Sequence, residues 1–321
     1  MRNIGQERIG QIEVPLPPAA EQTRIVEKLE ELLSGLDAGV AELKAAQQKL
    51  ARYRQSLLKA AVQGELTAAW RGNTPTTGVL PSGWAWTTVG QLSEIRGGIQ
   101  KKPSRAPVSN KFPFLRVANV ARGRLVLNEV HHIELFDGEL ERFALKKGDV
   151  LVVEGNGSLT EIGRCAVWDG SIPNAVHQNH LIRVRPIGVQ SDYLETWLNS
   201  PGGIERMTAL AGTTSGLYTL SVGKIAKIPV PLPPLAEQQE IIRCLQTMLQ
   251  AVCEQEAAIG KALAQSTAQR QNILRAAFSG QLLPQNPADE PASALLARIR
   301  AERAAQGTAR KPRGRKVGEA A

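Results

Sequence analysis

The run Arg96-Gly97-Gly98-Ile99-Gln100-Lys101-Lys102-Pro103-Ser104-Arg105 combines glycines, an amide, a hydroxyl and four cations. Such a segment can lie along a phosphate backbone and reach base edges, since Lys and Arg neutralise phosphates while Arg and Gln present paired hydrogen-bonding groups. The same content also suits a solvated loop. Residues 96–124 carry eight basic side chains and no acid, whereas residues 129–169 hold nine acids, so one face is expected to be basic. Arg96, Gln100, Lys101, Lys102, Arg105, Lys111 and Arg116 are therefore candidate DNA contacts. Val176-His177-Gln178-Asn179-His180 is a second polar cluster, in which Gln178 and Asn179 can bond adenine bidentately and histidine can serve guanine or phosphate. A turn satisfied internally is the competing reading. Thr214, within Gly212-Thr213-Thr214-Ser215-Gly216, is a further candidate phosphate contact, or a plain turn residue. Glu154-Gly155-Asn156-Gly157-Ser158 reads first as a turn, because no Lys-Ser/Thr follows and no helix opens after it.

No catalytic constellation assembles beside these groups. G-x-S-x-G, H-E-x-x-H, the P-loop and a helix-opening G-x-G-x-x-G are all missing, as is the Asn/Asp-Pro-Pro-aromatic signature of amino-methyltransferases. Glu139 and Glu141 fall in an acidic surface stretch. Cys165, Cys244 and Cys253 lack C-x-x-C spacing, and four histidines in two loose pairs make a poor metal set. The expectation is a non-catalytic chain with no metal site. A net charge of +9 points to a polyanionic partner, and 4% aromatic content argues against a stacking platform for single strands. With 321 residues, 42% hydrophobic, no apolar run near eighteen residues and no apolar signal core at the start, the expected home is cytoplasmic, without a membrane partner.

The elements that must position these residues are organised by an internal repeat. Residues 12–66 align without a gap on residues 228–282, at an offset of 216, with 21 of 55 positions identical. Each copy opens on a proline-rich run that cannot be helical, so a helix should start just after it with Glu21 or Glu237 near its positive end, and stop at Gly64 or Gly280. Between these marks Ile25, Leu29, Leu32, Leu36, Leu43 and Leu50 step by fours and threes with Gly39 and Ala46, the seam of a coiled coil. The second copy offers Ile241, Leu245, Met248, Val252, Ile259 and Ile273, a weaker seam in its second half. Helices of about 43 residues need a partner to bury such a stripe, and two in one chain can serve each other.

The insert differs in kind. After a Gly, Asn, Thr, Pro and Ser-rich linker, short β-branched runs at residues 114–117, 124–127, 149–153, 165–168 and 180–184 read as strands, and residues 191–199 and 202–210 as helices. The expected class is α+β, with a mainly antiparallel, strongly bent sheet.

These residues match a known pattern. Pro-Leu-Pro-Pro-x-x-Glu-Gln at residues 15–22 and 231–238, Leu80-Pro81-Ser82-Gly83-Trp84, Gly148-Asp149-Val150-Leu151-Val152, Gly163-Arg164, Ser279-Gly280-Gln281-Leu282 and the closing residues 289–303 resemble the DNA specificity subunits of type I restriction-modification systems over nearly the whole chain. The resemblance implies a target-recognition domain at 83–227 that reads half of a bipartite double-stranded site. It also implies helices at 19–66 and within 228–283 paired as an antiparallel coiled coil, a linker at 67–82, a closing helix and basic tail at 284–321, and at 1–18 a remnant of a preceding recognition domain with its proline-rich lead-in. Implied partners are DNA, methyltransferase subunits, a restriction and translocase subunit, and a second copy or specificity fragment, with S-adenosylmethionine and ATP bound by partner subunits rather than by this chain. The rival readings are a coiled-coil assembly protein whose insert binds another protein, and a non-functional truncated subunit.

Overall fold

A computed structural model describes residues 5–72, 80–156, 158, 161–214 and 217–308. In chain order the helices are α1 (Gln6–Gly10), α2 (Ala19–Val62), α3 (Val89–Leu92), α4 (Glu139–Phe143), α5 (Ser191–Asn199), α6 (Pro201–Leu210), α7 (Val222–Ala226), α8 (Leu235–Phe278) and α9 (Ala292–Thr308). Both long helices have 44 residues, and their bounds coincide under the 216-residue offset, as do those of α1 and α7. Local chemistry repeats with them. The amide of Gln22 donates to Pro17 O and that of Gln238 to Pro233 O, both at 2.9 Å, which ties each proline run to the helix it precedes. At the other ends Gly64 and Gly280 adopt φ of +74° and +70°. The amides of Glu65 and Gln281 then reach back to Ala60 O and Ala276 O, the same left-handed stop in both copies.

The chain divides into two compact units. The first comprises residues 1–48 and 256–321. There α2 and α8 run antiparallel: Arg270 bonds Asp37, while Arg24 forks onto Asp289 beyond the end of α8 at 2.5 and 3.3 Å. Ile25, Leu29, Leu32, Leu36 and Leu43 are half-buried, as are Ile259 and Ile273.

The second unit, residues 49–255, holds the insert and the facing ends of both helices. Leu57, Leu58, Ala61 and Val62 of α2 share one core with Ile241, Ile242, Leu245 and Val252 of α8, with Leu50 and Leu249 packed against it. Met248, expected on the seam, is exposed and Leu249 is half-buried instead. The buried stripe of α8 steps from Leu245 by four and then three, rather than three and then four, because the partner surface lies on the other side of that shared position.

The strands of the insert are β1 (Ala85–Thr88), β2 (Ser93–Gly97), β3 (Lys111–Leu115), β4 (Val120–Ala121), β5 (Arg124–Leu125), β6 (His131–Glu134), β7 (Val150–Val153), β8 (Gly155–Asn156), β9 (Cys165–Val167), β10 (Val176–His177), β11 (Leu181–Pro186), β12 (Gly212–Thr214), β13 (Leu217–Thr219) and β14 (Pro229–Leu232). They form several small sheets, the largest an antiparallel β2-β11-β7-β9 whose inner faces carry Val150, Val152, Ile182 and Val184. Only β10 with β3 pairs in parallel among the named strands. The proline-rich β14 is one half of a two-stranded ladder with β1, a place where proline is tolerated because its missing donor faces no further strand.

Part of the expected linker is packed. Thr67 and Ala68 are buried, and Arg71 with Thr67 reaches the N-terminus of α8, where Thr67 Oγ1 donates to Glu237 Oε1 at 2.8 Å and Arg71 bonds the same oxygen. Trp84 Nε1 donates to Glu237 Oε2 at 2.9 Å. No helix among the described residues is long and apolar enough to cross a membrane.

Candidate nucleic-acid interface

Two polar segments that lie about eighty residues apart in sequence are sewn together by backbone bonds. Ile99 N donates to His177 O at 2.8 Å, Asn179 N to Ile99 O at 3.0 Å and Gln178 N to Leu115 O at 2.9 Å. The approach is so close that a Cβ at Gly98 would lie 2.3 Å from His177 O and 2.4 Å from Gln178 O, so only glycine fits there. Gln100 therefore follows directly on the residue joined to Gln178 and Asn179, with Lys101 and Lys102 next along the chain. None of these five side chains has a hydrogen bond or ion pair among the described residues, and the two lysines are exposed. Residues 100–105 form a wall between two clefts. One, of about 580 Å³, is lined by Lys101, Lys102, Phe114, His131 and His132; the other, of about 300 Å³, by Gly98, Gln100, Lys102, Ser104 and Arg105. His131 and His132 were not singled out in the sequence: they reach the cleft because β6 pairs with β3, a cross-strand register no local signal announces.

The expected segregation of charge does not hold. Arg105 forks onto Glu139 with two 2.7 Å bonds and lies over the Phe136 ring at 4.7 Å, so it anchors the wall to α4. The guanidinium in turn holds the Glu139 carboxyl below its ordinary range. Arg116 pairs with Glu129 at 3.3 Å, and Arg96 with Glu94 at 3.7 Å and with Arg142 O at 3.3 Å. Glu134 accepts from the amides of Val108 and Asn110 at 2.7 and 2.8 Å, fastening the far end of the same loop. Two acids from the 129–169 stretch thus fold onto the basic segment and neutralise Arg105 and Arg116, Glu94 pairs with Arg96, and Lys101, Lys102, Lys111 and Arg124 are left without an acidic partner among the described residues. Thr214 stands in β12, and its side chain lies outside the described residues, as do Gly157, Ser215 and the basic tail at 310–316. No cluster of potential metal ligands occurs among the described residues.

His177 is not available to a nucleic acid. It is buried, Nδ1 donates to Leu181 O at 2.8 Å and Nε2 has no partner, so burial lowers its pKa to about 4 and keeps the ring neutral. It fixes the turn that carries Gln178 and Asn179. Behind β9, Glu195 is pushed up to about 7, chiefly by burial, with Asn199 Nδ2 on its Oε1 at 2.7 Å. The folded chain holds that proton over a range in which the unfolded chain has lost it, so this group makes stability fall as pH rises from about 4.5 to about 7. His177 acts oppositely: the unfolded ring gains a proton below 6.5 that the folded ring refuses until about 4, so its contribution is lost on acidification. Glu195→Gln is therefore expected to leave the histidine slope exposed. Thermal midpoints measured between pH 4.5 and 6.5 should rise more steeply than those of the parent chain, and an unchanged profile would contradict the buried, protonated carboxyl.

Residues 81–263 match the type I restriction modification DNA specificity domain. The chain is 35% identical over 321 residues to the type I restriction enzyme EcoKI specificity subunit of Escherichia coli strain K12, covering 96% of this chain and 67% of that one. Identity to the StySPI specificity subunit of Salmonella potsdam is 31% over 318 residues, with the same two coverages. A chain solved in work on complex assembly and conformational transition of the type I R-M system superposes with a TM-score of 0.57 at 22% identity, covering 84% of this chain and 62% of the other. The chain spans about two thirds of the length of its curated relatives and somewhat less of the solved chain. The matched domain takes in the wall, the stitch and the proline-rich start of α8, and on these similarities the chain belongs to the family of type I restriction-modification DNA specificity subunits.

Proposed function

We propose that the chain is the non-catalytic, DNA-reading subunit of a type I restriction-modification assembly, and that residues 83–227 recognise one half of a bipartite double-stranded target. In this reading it brings methyltransferase subunits, and through them a restriction and translocase subunit, to that site inside the cytoplasm. S-adenosylmethionine and ATP belong to those partners. The observation that carries the reading is the stitch between Ile99 and residues 177–179, which joins the segment that carries two free lysines to the turn that carries two free amide side chains. Such a combination suits a duplex: lysines meet phosphates without regard to sequence, while a planar amide bonds adenine N6 and N7 together. Arg105 and Arg116 support these segments through their carboxylate partners.

Fluorescence anisotropy with duplex DNA at varied salt tests this. For the Lys101→Ala, Lys102→Ala double variant, the slope of log affinity against log salt should become shallower by about 2, near 0.9 for each phosphate no longer neutralised. Binding weakens alike on cognate and unrelated duplexes. A slope equal to that of the parent chain removes these lysines from the interface. No salt-dependent duplex binding by the parent chain removes the reading itself.

A further inference from the structure

A single exposed valine is ordinary on a protein surface; what sets Val108 apart is its mounting. At 80% it is the most exposed large apolar side chain among the described residues, and it stands in the loop between the 3₁₀ turn Pro103–Arg105 and β3. That loop is fixed at both ends and in the middle. Arg105 forks onto Glu139 at the near end, and at the far end the Asn110 side-chain amide donates to Leu135 O at 2.7 Å while Leu135 N donates to Asn110 O at 3.1 Å. Between them Glu134 gathers the backbone amides of Val108, Ser109 and Asn110 and the Ser109 hydroxyl, at 2.7, 3.4, 2.8 and 3.1 Å. These donors, the Val108 amide foremost, hold its carboxyl below the ordinary range. Pro107 fixes its own φ and biases the residue before it toward extended geometry, and Ala106 sits at φ −60°, ψ 131°. Valine is itself stiff at χ1. The apolar tip is thus held by its backbone, with little entropy left to lose on contact.

The tip adjoins the segments assigned above to the duplex. Ala106 and Pro107, which lead into it, line the cleft of about 580 Å³ together with Lys101, Lys102 and His132. Lys111, another cation without an acidic partner among the described residues, roots the far side of the loop. Polar readers leave one feature of a base pair unread. Glutamine and asparagine bond adenine N6 and N7, but the C5-methyl group of thymine neither donates nor accepts, and only an apolar side chain in the major groove can register it. Val108 is an exposed apolar group set among phosphate-seeking lysines.

We propose, resting on the DNA reading above, that Val108 is a specificity-determining residue: its isopropyl group packs in the major groove on the C5-methyl of a thymine, and Glu134 is the positioning residue that holds the loop for that contact. The lysines on either side neutralise the flanking phosphates, the amide side chains read adenine, and the valine reads the methyl group.

The test titrates the full chain with a duplex carrying the site methylated in the host, in which each thymine of the half-site is replaced in turn by deoxyuridine. The replacement removes one methyl group and leaves every hydrogen-bonding group and charge in place. For at least one thymine the parent chain is expected to bind about fourfold more weakly after replacement, the worth of one buried methyl group. In Val108→Ala that ratio should fall close to one, and Val108→Ile should retain it; a side chain this exposed can be exchanged without unfolding the domain. Glu134→Ala should also lose the ratio, while the slope of log affinity against log salt stays that of the parent chain, since no lysine is touched. A half-site without thymine, or a ratio of one at every thymine, overturns the proposal. So does a ratio that persists in Val108→Ala or in Glu134→Ala. A parent chain that binds the duplex in a salt-dependent way yet ignores every methyl group sinks the valine contact alone, whereas a parent chain that binds no duplex removes the DNA reading as well.

Discussion

Replacing Glu237 with alanine is expected to lower the unfolding free energy of the recognition domain by about 3–5 kcal/mol, the cost of leaving a buried charge unpaired. Arg71 retains only 8% and Glu237 2% of side-chain exposure, and no other acid among the described residues pairs with that guanidinium. The loss is not confined to one contact, because Glu237 joins the packed linker, the first residues of the insert and the N-terminus of α8. Urea unfolding followed by far-ultraviolet circular dichroism measures it. Trp84→Phe keeps an aromatic ring, smaller than the indole, and removes its one donor to a charged acceptor, so the lost bond alone should cost about 1.5–3 kcal/mol. If Glu237→Ala proves no worse than Trp84→Phe, the carboxylate is not the junction described here.

Gly98→Ala should be the most damaging substitution for reading that touches no nucleic acid. The added Cβ meets two backbone carbonyl oxygens, which cannot rotate away, so the loop must lift off residues 177–178. Overpacking of this kind costs about 1–3 kcal/mol of stability. The larger effect falls on discrimination: displacement of Gln100 from Gln178 and Asn179 should cut the preference for cognate over unrelated duplex by about 10–100-fold, since each bidentate base contact is worth about 1–3 kcal/mol. The salt slope should change little, as Lys101 and Lys102 remain able to find phosphates. Gly97→Ala is the control, because nothing lies within 4 Å of a Cβ at that position. The site sequence can be taken from the methylation pattern of the host, and equal discrimination by both alanine variants would show that the stitch does not hold the readers.

The long helices were legible because their signals are local. Proline runs and left-handed glycines bracket each one, and the repeat shows the same punctuation twice, so α2 and α8 begin and end at matched positions. The choice between Met248 and Leu249 was not legible, since both lie within one residue of the stripe and only the partner surface decides. Helix α5 was visible at its full length, as were the apolar cores of β7, β9 and β11, where β-branched runs are buried. Two-residue strands such as β4 and β8 leave no periodicity to detect, and of the run read at 124–127 only Arg124 and Leu125 form a strand. At the site, composition located the two polar segments but not their joining. Charge counting failed for a physical reason: Arg105 and Glu139 lie 34 residues apart and meet only once the loop folds onto α4. His177 misled in the same way, being polar in sequence and neutral core in space.

The ladder between β1 and β14 has an evolutionary corollary. Because the polypeptide enters and leaves the globular insert through one doorway, with Ala85 facing Leu232, two splice points suffice to exchange the whole body for a different one. A replacement cassette need only preserve the Gly83-Trp84 threshold and the Pro-Leu-Pro-Pro sill, since Trp84 and the first residues of α8 carry the bonds that seat it. On the proposed function, exchanging that body rewrites target preference while the sequence of the two long helices stays unaltered.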